Sequence, residues 1–254
     1  TILIYCLAII ALIYGFTKVN SFEYLGLKPK TKFSIIVPFR NEAENLPKLL
    51  DCFSKLNYPV DLFEVVLVDD DSDFRFQISE YRFQISVIDN IRVSNSPKKD
   101  AISTAMQVVK NDWIITTDAD CVVNENWLSV LDNYIQLHHE VSMIAGAVSY
   151  HCEDSFLHHF QQLDLLSLQG TTIGSFGIGK PFMCNGANFA YTKSFFQELN
   201  GFNGNDQIAS GDDVFLLQKA MNYSPERVHY LKSKSNIVIT KPVNSWKSLF
   251  NQSK

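Results

Sequence analysis

The chain has 254 residues, 46% hydrophobic and 19% charged, with a formal net charge of -5. This size and balance exclude a disordered, collagenous or coiled-coil chain, and the negative total argues against a nucleic-acid binder, which carries a basic footprint. The charge is uneven: residues 17–32 carry +3 and residues 219–254 carry +6, which leaves -14 for residues 33–218.

Positions 2–14, ILIYCLAIIALIY, are unbroken apolar residues. Thirteen fall short of the roughly 20 that span a bilayer as a helix. The chain starts at Thr1 without a Met, however, so the run is read as a membrane helix cut at its start, with Lys18 and later lysines as a cytoplasmic flank. A signal-peptide core and a buried core helix are the alternatives. The five cysteines are scattered without CxxC spacing. They form neither a zinc site nor a disulfide framework and read as reduced cytosolic thiols.

The body alternates strand and helix. Residues 33–38, FSIIVP, have the apolar run of a buried parallel strand, and Asn41 with Glu44 predicts a capping box for a helix bearing Leu46, Leu49, Leu50 and Phe53 on one face. Strands follow at 63–68 and 113–117, helices at 98–109 and 126–138, and one more strand at 142–150. The order predicts an α/β sheet of mostly parallel strands, whose ligands bind outside the strands' carboxyl ends. Those ends carry Arg40, then Asp69, Asp70 and Asp71, then Asp118 and Asp120. A tandem RFQIS at 75–79 and 82–86 reads as a local duplication without function. The last residues, 243–254, have helix-like spacing of Trp246, Leu249 and Phe250 between lysines, fitting either a membrane-surface helix or one packed on its own domain.

Asp118 and Asp120 stand at i and i+2, so on extended backbone both point to the same side and reach one cation. Mg²⁺ or Mn²⁺ takes one or two carboxylates and completes its shell with phosphate oxygens and water; the bland alternative is a solvated turn. The three adjacent aspartates repel one another, and the sharper reading of them is a carboxylate accepting from a nucleobase N–H. Gly211-Asp212-Asp213 opens an apolar run and reads as a helix start, where anions are favoured. Residues 174–180, GSFGIGK, mimic a phosphate loop, but Pro181 stands at the Ser/Thr position, so the segment reads as a flexible loop beside the active site. The pairs His138/His139 and His158/His159 read as partly exposed helix residues rather than ligands.

In order and spacing, SIIVPFRNEAENL (34–46), VLVDDDSD (66–73), KKDAISTAM (98–106), TTDAD (116–120), NGANFAYTKSFFQELNGF (185–202) and SGDDVFLL (210–217) resemble the family 2 inverting glycosyltransferases of GT-A fold. The resemblance implies a Rossmann-like mixed sheet over residues 33–240, preceded by a membrane helix (1–17) and a basic linker (18–32), and followed by the start of an interfacial helix (241–254). It implies that Pro38 and Glu42 line a nucleotide pocket, Asp70 contacts the base and Lys98 approaches the diphosphate. Asp118 and Asp120 form the D-x-D motif, Asp120 ligating Mg²⁺ or Mn²⁺ and Asp118 holding the nucleotide sugar and sharing the metal. Asn185, Gly186 and Ala187 fall at the acceptor site, and Asp213 is the general base. Gln252 falls where membrane-bound members begin a Q-x-x-R-W motif that meets the acceptor. Departures are Asp71 for the usual Gly, Arg40 for a common Tyr, and Asp212 for the usual Glu. The implied enzyme moves a sugar from a nucleotide-diphosphate donor, UDP-sugar favoured, to a saccharide or lipid acceptor at the cytoplasmic membrane. A metal-dependent nucleotidyltransferase and an inactive nucleotide-sugar-binding scaffold are the alternatives.

Overall fold

A computed structural model describes residues 2–73, 81–205 and 211–252. The apolar runs at 33–38, 63–68 and 113–117 form strands β1 (Phe33–Phe39), β2 (Phe63–Asp69) and β4 (Trp113–Thr116), all buried or nearly so. With β3 (Gln84–Asp89), β5 (Met143–Gly146), β7 (Phe189–Thr192) and β8 (Val228–Leu231) they make a seven-stranded sheet of order β3-β2-β1-β4-β7-β5-β8. Only β7 runs against its neighbours. β1 pairs in parallel with β2 on one side and β4 on the other, which makes the β1/β4 boundary the switch point of the sheet. Asp118 lies just beyond the carboxyl end of β4 at this boundary, and Asp70 just beyond that of β2, one strand over.

Period-two alternation sorts the strand residues onto two apolar layers. Ile35, Val37, Val65, Leu67 and Ile115 pack under α2 (Leu46–Ser54) and α4 (Trp127–Leu137). Ile36, Val66, Val68 and Ile114 face α3 (Pro97–Met106), α6 (Lys193–Glu198) and α7 (Asp212–Tyr223). The mixed, mostly parallel α/β sheet flanked by helices is as the sequence implies.

Four local expectations are corrected. The strand predicted over 142–150 breaks after Gly146, and β6 (Val148–Tyr150) pairs instead with β9 (Val238–Thr240) in a second, two-stranded sheet. Gly146 is wedged against the Asn188 and Asn236 side chains, which a Cβ would meet at 2.3 Å. The capping box does not form, because the Asn41 side chain bonds to Asp73 and α2 starts after Asn45. Residues 174–180 are the end of α5 (Phe156–Gly177), not a flexible loop. Lys180 N donates to Ser175 O and Gly179 N to Phe176 O, each at 2.9 Å, with Gly179 at φ +69: a Schellman cap. His158 on α5 is buried, not partly exposed, and its ring meets Asn244 Oδ1 at 2.9 Å and the Glu153 N–H at 3.1 Å.

The apolar N-terminal run forms α1 (Ile2–Lys18), which lies along α5. Among the described residues no helix is long and apolar enough to cross a membrane; α1 has 17 residues. The closing segment forms α8 (Trp246–Gln252). Of the tandem RFQIS, the second copy runs into β3, while 75–79, like Ser253 and Lys254, lie outside the described residues.

Candidate functional site

β2 ends in a tight acidic turn. Asp69 Oδ1 accepts from Ser72 N at 2.9 Å, and Asp71 sits at φ +65, a left-handed conformation that Gly adopts freely and Asp tolerates better than most residues. That backbone requirement accounts for glycine being usual there. Asn41, also left-handed at φ +58, ties the turn to the end of β1 through its bonds to Ser72 and Asp73.

Asp70 is buried and is held by side chains from beyond β3. Asn90 Nδ2 and Arg92 Nε each donate to its Oδ1 at 2.6 Å, and Arg92 Nη2 donates to Oδ2. Burial pushes the Asp70 carboxyl up, but the bonds from Arg92 and Asn90 and the charges of Arg92 and Arg40 outweigh it and leave the pKa below the ordinary value. The fork of Arg92 is thus a fixed cation beside the crevice. Sequence reading missed it: the pairing of Asp69 with Asp89 brings residues 90–92 beside Asp70, and no motif announces that.

Pro38 lies in β1, and Glu42 just past it accepts from Asn45 Nδ2 at 2.6 Å. Glu42 lines a groove of about 330 Å³ with Phe39, Asn41, Glu44, Ser72 and Asp73.

A second group assembles at the ends of β4 and β7. Lys98, in the first turn of α3, donates from Nζ to Asp118 Oδ1 at 2.7 Å. Burial works against the Lys98 charge, but Asp118, Asp212 and Asp213 outweigh it and raise its pKa. Asp213, in the first turn of α7, accepts from Gly186 N and from Val214 N, each at 2.7 Å. Burial and then the neighbouring Asp212 charge push its carboxyl above the ordinary value, against the pull of those two N–H groups and Lys98. A Cβ on Gly186 would stand 3.1 Å from Asp212 Oδ2 and 3.4 Å from Lys98 Nζ, so residue 186 approaches both charges closely. Asn185 accepts from Ala187 N at 3.0 Å and opens the turn that carries Gly186 and Ala187. Lys98, Asp118, Gly186, Asp212 and Asp213 are therefore one cluster, and Asn185 and Ala187 flank it.

The turn at 186–188 is anchored from beneath. Thr116 Oγ1 donates to Gly186 O at 2.8 Å. Buried Asn188 donates from Nδ2 to Asn236 O at 2.6 Å and Ala147 O at 2.9 Å, and accepts from Trp127 Nε1 at 3.2 Å. Asn188 lies within the NGAN stretch, yet sequence reading gave it no role.

The D-x-D pair departs from the extended geometry expected of it. Cys121 N donates to Asp118 O at 3.2 Å and closes a turn, so the same-side argument for strands does not apply. Asp118 engages Lys98, while Asp120 Oδ2 accepts from Thr240 Oγ1 of β9 at 2.9 Å. Among the described residues no three His, Cys, Asp or Glu side chains gather as a metal cage. Two carboxylates, with the other positions left to diphosphate oxygens and water, are nevertheless the donor set that a hard divalent cation takes with a nucleotide. By donor chemistry alone the pair suits Mg²⁺ or Mn²⁺, with Asp118 held by Lys98 and Asp120 by Thr240 in this structure. Gln252 falls in the last turn of α8, and its side chain lies outside what is described.

Comparison with known proteins bears on this arrangement. Residues 34–199 match the model of the family described as glycosyl transferase family 2. Over 111 residues the chain is 30% identical to poly(ribitol-phosphate) beta-N-acetylglucosaminyltransferase TarS of Staphylococcus aureus, in strains Mu50 and MW2. That stretch is 42% of this chain and 19% of TarS, so the match spans about a fifth of the relative's length. The crystal structure of S. aureus TarS 1–349 superposes with a TM-score of 0.58 at 17% identity, covering 83% of this chain and 60% of that one. Mannosyltransferase PcManGT from Pyrobaculum calidifontis, in complex with GDP-Man and Mn²⁺, superposes at 0.66 with 15% identity over 98% of this chain and 70% of that one. At such identities the structural likeness is one of fold.

Proposed function

Because the chain belongs to glycosyl transferase family 2, matched over more than half its length, we propose that it transfers a sugar from a nucleoside-diphosphate donor to an acceptor hydroxyl with inversion, Asp213 acting as general base. The observation that carries this reading is the Asp213 carboxylate itself. It is fixed by the Gly186 and Val214 N–H groups, pushed above its ordinary pKa, and set across Lys98 from the D-x-D motif.

The roles follow from chemistry. Asp70, with Arg92, offers a carboxylate and a guanidinium to the hydrogen-bonding edge of a base; Glu42 lines the groove past β1, while Pro38 sits within β1, outside that lining. Lys98 and Asp118 meet the diphosphate and the donor sugar. A divalent cation, Mg²⁺ or Mn²⁺, held by Asp118 and Asp120, supplies neutralisation of leaving-group charge when bound. Asn185, Gly186 and Ala187 border the acceptor. Asp213 takes the proton of the attacking hydroxyl, a service worth roughly 10²–10⁴-fold in rate. One displacement inverts the anomeric centre and needs no covalent nucleophile.

A UDP-sugar is the favoured donor, since TarS structures hold UDP-GlcNAc and UDP, while the GDP-Man complex of PcManGT makes a guanosine donor the alternative tested beside it. The acceptor is a saccharide or lipid. The enzyme is attached to the cytoplasmic face of the cell membrane, a reading supported by apolar α1 and the basic flanks. The test incubates the protein and membranes with labelled UDP- and GDP-sugars and identifies products by mass. The reading expects a glycosylated product, nucleoside diphosphate and an inverted anomeric centre. Pyrophosphate release from a nucleoside triphosphate, with no sugar transfer, contradicts it.

A further inference from the structure

We infer that α1, the outer face of α5, and α8 form one lipid-contacting surface, with α1 lying along the catalytic domain in the plane of the bilayer interface instead of leaving it as a tether. This rests on the membrane-attached reading above and specifies which surface makes the attachment.

The packing of α1 sets its direction. A Cβ on Gly15 would stand 2.0 Å from Gly174 O, one on Gly174 2.4 Å from Leu12 O, and one on Gly177 1.8 Å from Gly15 O. The two backbones therefore touch, and because Leu12 meets Gly174 and Gly15 meets Gly177, the helices run in the same direction. α5 is strapped to the domain along its length. Gln161 bonds Val243 through both its amide atoms, His158 meets Asn244, and Gln169 accepts from Tyr230. A helix fixed by glycine contacts to such a strap is held along α5.

What remains outward is apolar. On α1, ten large hydrophobic side chains are exposed, and no residue from 2 to 17 is charged. Monomeric soluble proteins rarely expose so large a contiguous apolar patch. The patch continues along α5 through Phe156, Phe160, Leu163 and Leu166, all about half exposed or more. On α8, Trp246 joins it, with ring centroids 6.3 Å from Phe156 and 5.6 Å from Phe160. Between α1 and α5 an apolar cleft of about 370 Å³ runs past Ile9, Leu12 and Gly170.

The charges at the rim identify the occupant as lipid. Lys18 ends α1, Lys180 follows the end of α5 at the same side, and Lys232 donates to Val19 O at 3.2 Å beside them. Exposed Lys247 sits next to Trp246 at the other end of α5. The strip is apolar along α1 and α5 save for exposed Asp164, with Lys18, Lys180 and Lys232 at one end and Lys247 beside exposed Glu153 and Asp154 at the other. The lysine-rich end matches anionic headgroups and the apolar length matches acyl chains. Lying flat keeps Lys18, Lys180 and Lys232 at headgroup level while the α5 face and Trp246 meet acyl chains along the same side.

Trp246 provides the test, since Trp113 and Trp127 are both buried. The whole protein is mixed with phosphatidylcholine/phosphatidylglycerol vesicles whose acyl chains are brominated. Flotation, tryptophan quenching and sugar transfer are measured on the same preparation. The inference expects flotation with quenching that disappears in Trp246→Phe. It also expects at least about a tenfold fall in vesicle partition for Phe156→Ser/Phe160→Ser/Leu163→Ser, with circular dichroism unchanged. Flotation without quenching, and with the triple variant still bound, overturns the flat face while leaving attachment standing. A protein that ignores vesicles, as a monomer or as a dimer closed over this face, overturns both. Quenching without sugar transfer contradicts the enzymatic reading alone.

Discussion

Asn188 offers the most direct link between packing and site, because it supports from below the turn that holds Asp213. Asn188→Ala removes the acceptor of Trp127 Nε1 and the donor to Asn236 O. Ala147 O is less affected, since it also accepts from Val238 N at 3.1 Å. Two buried polar groups are therefore orphaned, each costing about 1–3 kcal/mol, and the 3.2 Å Trp127 bond belongs at the lower end. A total of about 3 kcal/mol corresponds to a fall in Tm of roughly 6–12 °C for a chain of this size. Scanning calorimetry reads this directly. Transfer activity measured well below the variant's Tm should also fall, because Gly186 is two residues away in the same turn and its N–H holds Asp213. A variant that melts within about 2 °C of wild type and keeps its kcat refutes the claim that this network supports the site.

Other outcomes follow from the same geometry. The base must be ionised, and Asp213 titrates above the ordinary 3.8, so kcat/KM falls as pH drops through that raised value, and a limb at or below 3.8 contradicts the assignment. By linkage, Asp213 also binds its proton to higher pH folded than unfolded, so its ionisation lowers stability as pH rises through that window, which urea titration across pH detects. Gly186→Ala puts a methyl 3.1 Å from Asp212 Oδ2; transfer is expected to fall about tenfold with little change in Tm, and full activity means the site yields there. Arg92→Met frees Asp70 from its fork and is expected to weaken UDP binding by calorimetry more than it changes the fold by circular dichroism; unchanged affinity removes Arg92 from the base pocket.

What the sequence disclosed depended on whether the signal was local. β1, β2 and β4 stand out as apolar runs because parallel strands are covered on both faces, and the acidic groups 69–71, 118/120 and 212–213 stand out at their ends or at a helix start, although the choice of Asp70 and Asp213 within them rests on the family resemblance. Arg92 was invisible because its partner lies across a strand pairing, 22 residues away. Residues 174–180 looked like a loop because the glycines that break a periodic pattern serve a tertiary purpose, admitting the α1 backbone and capping α5. The 142–150 strand splits where Gly146 meets two asparagines from distant segments, and the capping box failed because Asn41 was claimed by the β2 turn. Each miss is a residue whose partner is remote in sequence.

The central claim is that Asp213 is the base of a sugar transfer. Its sharpest test pairs calorimetric UDP-sugar binding in Mn²⁺ with turnover for Asp213→Asn, a change that keeps the side chain's size. The account predicts donor affinity within about threefold of wild type and turnover lower by roughly 10²–10⁴-fold. Undiminished turnover contradicts it.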